Sequence, residues 1–148
     1  MKVINCVFLF GGLIGMSIIG AVGYTVFSDR EKYVDSEKII ADINGEEYRL
    51  EVAISDSAQR KGLMERSSLA QDRGMIFIYA KEYMRSFWMK DTLIPLDIIF
   101  LDKHREVVHI EEHVPPCQED PCPSYSSQYP SQYVIELNAG EADKVDLT

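Results

Sequence analysis

The chain has 148 residues, with 15 Lys and Arg against 24 Asp and Glu, a formal net charge of −9. Residues 29–148 hold 14 of the basic and all 24 of the acidic side chains, a net of −10. That charge repels phosphate backbones and argues against nucleic acid as a partner, while the length allows one domain with a real hydrophobic core.

From Val3 to Phe27, 25 residues carry no charge, and only Asn5, Ser17 and Thr25 are clearly polar. As a helix this run would extend roughly 37 Å, enough to cross a bilayer core with some tilt. Residues 1–28 are therefore expected to be a membrane anchor or signal segment that meets the bilayer through residues 3–27. Ala21-Val22-Gly23 offers a small-x-small cleavage site after Gly23, but the apolar run continues beyond it, which favours an uncleaved anchor. Lys2 on one side and Arg30, Lys32 and Lys38 on the other orient the segment only weakly.

Residues 29–37 are charged and aperiodic, and read as a tether to a domain over 38–148. Asn44-Gly45 between Lys38–Ile43 and Glu47–Ile54 predicts a hairpin, since both turn positions tolerate positive φ. Asp56 or Ser57 is placed to cap a short helix over Ala58–Met64 that ends near Gly62. Strands are expected at Met75–Tyr79, Ser86–Lys90, Ile94–Leu101, Glu106–Val114 and Tyr133–Leu137. Strands in quick succession with one short helix predict a mainly β (α+β) fold: a small, barrel-like antiparallel domain behind an N-terminal transmembrane helix.

Phe87–Leu101 (FWMKDTLIPLDIIFL), Gly74–Tyr79 (GMIFIY) and Tyr133–Gly140 (YVIELNAG) resemble domain-of-unknown-function family 192. So does the RKGLMERSSL segment from Arg60, with its Arg-x-Gly-Leu-Met pattern, and the resemblance covers roughly residues 38–140. The family has no agreed biochemical activity, and the resemblance implies the same mainly β class. Its members generally continue past Asn-Ala-Gly with a helix and a closing strand. Only Glu141–Thr148 follow that segment here, so the chain is expected either to be truncated or to end differently from the family, and a missing strand would leave a sheet edge open.

Three groups of residues could carry chemistry. Ser86, Trp88 and Lys90 share one strand face, and Asp97 sits among apolar neighbours in LIPLDIIFL. Such a carboxylate must find a cation or backbone donors, or its pKa rises. Lys90 is the nearest cation in sequence, with Arg60, Arg66, Arg73 and Arg85 as the others. A ligand-binding set of Trp88, Lys90, Asp97 and Arg60 follows, against the plainer reading of a core tryptophan and a structural ion pair. His109, His113, Cys117 and Cys122 are ligand types suited to zinc or copper. A strand would hold His109 and His113 about 13 Å apart, so no metal is expected and this set is only a weak alternative. Cys117 and Cys122, in a Pro-rich loop, are expected to form a disulfide, which fits a domain outside the cytoplasm, periplasmic or at the cell surface.

The leading expectation is a membrane-anchored extracytoplasmic β domain that needs no cofactor and binds a small ligand or an envelope partner. Two further readings stay open. One is an enzyme that uses Asp97 as acid or base beside Lys90, and the other is a structural partner-docking module.

Overall fold

In the computed structural model, residues 5–7 and 34–147 are described. They form β1 (Asn5–Val7), β2 (Lys38–Ile43), β3 (Glu46–Ala53), α1 (Asp56–Lys61), β4 (Arg73–Tyr83), β5 (Ser86–Trp88), β6 (Leu96–Leu101), β7 (Val107–Val114), β8 (Ser124–Ser126), β9 (Ser131–Asn138) and α2 (Glu141–Lys144). The fold is mainly β. Seven strands make one sheet in the order β1-β2-β3-β4-β9-β6-β7, and β5 pairs with β8 in a separate two-stranded ribbon.

Two features correct the expected antiparallel, barrel-like domain. The large sheet is not closed into a barrel, because β1 and β7 stand at its two ends. It is also mixed: β3 and β4 run parallel. Parallel neighbours need a crossover, and α1 with the loop after it provides one. The expected membrane segment Val3–Phe27 lies outside the described residues except for Asn5–Val7, which pair with Asp42–Ile40 as an edge strand. Among the described residues no helix is long and apolar enough to cross a membrane.

Local sequence explains most of the elements. Asn44 and Gly45 take φ of 50° and 92° in the β2–β3 turn, the conformation that a tight hairpin requires. Ile39, Ala41 and Ile43 then alternate inward on β2, as do Tyr48, Leu50 and Val52 on β3. The helix begins earlier than expected. Ser55, not Asp56 or Ser57, is its N-cap and accepts a bond from Ala58 N–H, and Gly62 terminates it. A second, one-turn helix, α2, follows Gly140, which has a φ of 90°.

The sheet carries an apolar layer on each face. On one face Ile76, Ile78, Ile99, Ile135 and Leu137 pack with α2 and its neighbours Val145 and Leu147. On the other, Met75, Phe77, Leu96, Ile98, Phe100 and Val134 pack with Leu63 and Met89. Gly74 lets the centre close up. A Cβ there would lie 2.5 Å from Glu136 O and 2.6 Å from Leu137 Cδ2, far inside contact distance.

Candidate functional site

Two adjacent inner strands of the sheet, β9 and β6, each carry one buried acid. Asp97 on β6 is opposite Leu137, and Glu136 on β9 is opposite Ile98. Since neighbouring positions along a strand point to opposite faces, the two carboxyl groups lie on opposite sides of the sheet.

Asp97 is fully buried, at 0% exposure. Its Oδ1 accepts from His113 N–H at 2.8 Å, and its Oδ2 accepts from Gly140 and Ala142 N–H, each at 2.9 Å. Three backbone donors satisfy the carboxylate and tie the end of β7 to the start of α2. Around this clasp, Tyr48 Oη donates to Glu141 Oε2 at 2.6 Å, and Asn44 Nδ2 donates to Val145 O at 2.7 Å. Burial and the bond to Glu141 push the Tyr48 hydroxyl well above its ordinary value. The arrangement is architectural.

Lys90 does not reach Asp97. Its Nζ pairs with Asp120 at 2.7 Å, a bond that raises the lysine. It also lies 5.8 Å from the Trp88 ring centroid. The expected set is thus divided: Trp88, Lys90 and Arg60 are away from Asp97, which backbone amides satisfy in place of a cation. Asp97 as acid or base beside Lys90 has no geometry to support it.

The opposite face holds a different constellation. Glu136 is only 5% exposed, and its Oε2 has no hydrogen-bond partner among the described residues. Burial raises the carboxyl to about 8, against a smaller lowering influence from Arg66. Arg66 is itself engaged with Glu51 through two bonds of 2.8 Å. The Glu51 bridge holds that guanidinium, so Glu136 keeps its proton at neutral pH.

Above Glu136 lies a cavity of about 30 Å³ that Arg60, Gly62, Phe77, Trp88 and Thr92 help to line. Gly62, at φ 47°, forms its roof: a Cβ there would come 3.7 Å from Glu136 Oε2 and 3.4 Å from Phe77 Cζ. The cavity adjoins an open cleft of about 300 Å³ between α1 and β5, walled by Gln59, Arg60, Tyr79, Phe87 and Trp88. On its far side, Arg60 and Lys61 also border a second depression with Glu65 and Asp91.

The walls of this cleft are held in place. Phe87 meets Phe77 edge-on at 4.9 Å between centroids and Phe100 at 5.8 Å. The Arg85 guanidinium lies 3.7 Å over the Tyr79 ring, and burial raises the Tyr79 hydroxyl to about 12. Gln59 Nε2 donates to Ile78 O at 3.0 Å and so fixes α1 to β4. Two groups in the cleft remain available. Trp88 is 51% exposed, and among the described residues the Arg60 guanidinium takes part in no ion pair or hydrogen bond.

The disulfide loop braces the cleft from outside. Cys117 and Cys122 are joined by a disulfide with Cα atoms 5.8 Å apart. Cys117 N–H donates to Met89 O at 3.2 Å, and its carbonyl accepts from Asp91 N–H at 2.9 Å. The Trp88–Thr92 segment is thereby stitched to the loop. His109 does not share a site with these cysteines, since its Nε2 pairs with Glu111 at 2.9 Å. His113, at φ 52°, breaks the strand alternation. Among the described residues no group of three or more His, Cys, Asp and Glu side chains is placed to hold a metal.

Comparison with known proteins agrees with the architecture. The model of the family DUF192, described as Uncharacterized ACR, matches residues 39–148. The chain belongs to this family. A crystal structure of a protein of unknown function from Novosphingobium aromaticivorans is 36% identical, with a TM-score of 0.64, over 69% of this chain and 71% of that one. A second, from Sinorhizobium meliloti and named as a candidate transcription regulator, is 32% identical, with a TM-score of 0.65, over 69% of this chain and 77% of that one. Among curated proteins there is no match.

The segments that mark DUF192 membership surround the cleft. Arg60, Gly62, Leu63 and Met64 belong to the Arg-x-Gly-Leu-Met pattern, and Glu136 sits in YVIELNAG. Reading the sequence alone singled out Arg60 and Trp88 but missed Glu136. The available signal was an acid inside an apolar strand, the same signal that drew attention to Asp97.

Proposed function

We propose that the domain binds a small organic molecule in the cleft between α1 and β5. One observation carries this reading: a buried, proton-bearing carboxyl, Glu136, turns an unpartnered oxygen toward a cavity that opens into an aromatic-walled cleft. Small-ligand sites combine largely apolar walls with a few convergent polar groups. Phe87, Tyr79 and Trp88 supply the walls, and Arg60 and Glu136 supply the polar groups. The name of the Sinorhizobium meliloti protein points toward transcription, but the net charge of −10 on residues 29–148 opposes direct contact with phosphate backbones.

The test is capture from a metabolite extract. The chain is incubated with the extract, desalted and denatured, and the released molecules are read by mass spectrometry. Wild type should retain a species that Trp88→Ser and Arg60→Met lose. Retention that is unchanged in both variants, or no retention by wild type, would end the reading.

The same proposal places the domain outside the cytoplasm, carried by the apolar run Val3–Phe27. The uncharged length of that run and the Cys117–Cys122 disulfide support this placement, since disulfides persist in oxidising compartments. A single crossing would put Asn5 and Asp42 on opposite sides of the bilayer, so the anchored form would expose β2 as the sheet edge and lack the β1–β2 pairing. A reporter fused after Thr148 that is active only in the cytoplasm would exclude the placement.

A further inference from the structure

The geometry points to the chemical class of the ligand: a small carboxylate with an apolar or aromatic body, whose acid group enters the cavity between Arg60 and Glu136. This inference rests on the cleft being a binding site at all. Its starting point is the polar lining of the inner cavity, where the charged and titratable side chains are Arg60, Lys61 and Glu136.

A cationic ligand would meet Arg60 and Lys61 at the mouth, both without an ion pair among the described residues. A neutral ligand would leave Arg60 unused. An anion is drawn by both cations and finds at the base a carboxyl that still holds its proton. The O–H of Glu136 can donate to one carboxylate oxygen, and charge-assisted bonds of this kind are short and strong. The planar fork of Arg60 matches the same group. The cavity of about 30 Å³ admits only the end of such a molecule. Its body then lies in the cleft of about 300 Å³ against Phe87, Tyr79 and Trp88.

Other elements packed around Glu136 do not compete for this role. From the loop after α1, Arg66 acts on Glu136 but is held by Glu51. From β4, Tyr79 titrates only near 12. The nearest strand neighbours in register, Met75 and Ile98, are apolar. Acids occur farther out: Asp56 at the outer cleft, and Glu65 and Asp91 in the depression beyond Arg60.

The geometry implies a proton-dependent affinity. While Glu136 is protonated it donates to the bound carboxylate; once ionised it repels it. With the carboxyl titrating at about 8, affinity for a carboxylate should be steady below neutrality and fall about tenfold between pH 7 and pH 9.

The experiment uses the full chain in detergent and the emission of Trp88, the only tryptophan. Three probes share one ring and differ in charge: benzoate, benzamide and benzylamine. Benzoate should shift the emission saturably below about 10 mM and bind at least tenfold tighter than the other two. Arg60→Met should weaken benzoate at least tenfold. Glu136→Gln keeps a donor but cannot ionise, so benzoate should still bind and the loss between pH 7 and pH 9 should disappear. Saturable binding of benzylamine or benzamide without benzoate would overturn the carboxylate assignment and leave the pocket standing. An alkaline loss that persists in Glu136→Gln would overturn the role of Glu136. Silence with all three probes, together with empty metabolite capture, would remove both the pocket and this inference.

Discussion

Replacing Glu136 by Gln should stabilise the fold, and by an amount that grows with pH. In the unfolded chain this carboxyl has its ordinary value of 4.5, and in the fold burial holds it at about 8. Between these values the native state keeps a proton that the unfolded state releases, so stability falls as pH rises. Below the unfolded value the contribution is fully present, and it is lost progressively up to the folded value. At 1.36 kcal/mol per pKa unit, the penalty is on the order of 1 kcal/mol at pH 5, 3 kcal/mol at pH 7 and 4 kcal/mol at pH 8. Gln has the same shape and never ionises. Its amide enters a place where Glu136 Oε2 already lacks a partner, so no satisfied bond is given up. Urea denaturation of both proteins at pH 5, 7 and 8 provides the test, with midpoints compared at constant m-value. A Gln variant less stable than wild type at pH 8, or a difference that does not change with pH, would refute a buried, proton-bearing carboxyl at this position.

Asp97→Asn should act in the opposite sense. It faces three backbone N–H donors with an amide in place of an anion and should lose on the order of 2–3 kcal/mol in urea denaturation. Ligand retention should survive, because Asp97 and the cleft lie on opposite faces of the sheet. Gly74→Ala should abolish the soluble folded state, read by near-UV circular dichroism, because its Cβ would lie 2.5 Å from the backbone oxygen of Glu136. Reducing the Cys117–Cys122 bond should cost about 2 kcal/mol or less, since the closed loop is short. It should also change Trp88 emission, because the loop is hydrogen-bonded to Met89 and Asp91.

Much of the fold was legible where local chemistry decides it. Asn44-Gly45 specified the first hairpin through positive φ, and alternation specified the inward faces of β2 and β3. The β6 and β9 segments stood out as short apolar runs. Pairing beyond the hairpin was not legible. The parallel β3–β4 contact depends on how α1 carries the chain across the sheet, and strand composition is nearly blind to that. The helix α1 starts two residues before the expected Ala58, because Ser55, Asp56 and Ser57 are all good caps and composition does not choose among them. The one-turn helix α2 has too few residues to show a period. It exists because Asp97 accepts the N–H groups of Gly140 and Ala142.

The site divides the same way, and the buried acids of β6 and β9 show why. Asp97 in LIPLDIIFL and Glu136 in YVIELNAG present one pattern, a carboxyl among β-branched and aromatic neighbours, and both demand partners once buried. What separates them is a single step of register on adjacent strands. Asp97 points to the face where α2 and the end of β7 bring three amide donors, and its charge is satisfied by the fold it helps to close. Glu136 points to the face where α1 ends at Gly62, whose missing side chain leaves a cavity in place of a partner. A Leu or Gln at position 136 would occupy similar space without the cost of a buried acid, so packing does not account for a glutamate there. The carboxyl instead lines, with Thr92, a cavity that adjoins a cleft bordered by Arg60 and Trp88, where a single water or the polar end of a ligand has room to reach its unpartnered oxygen.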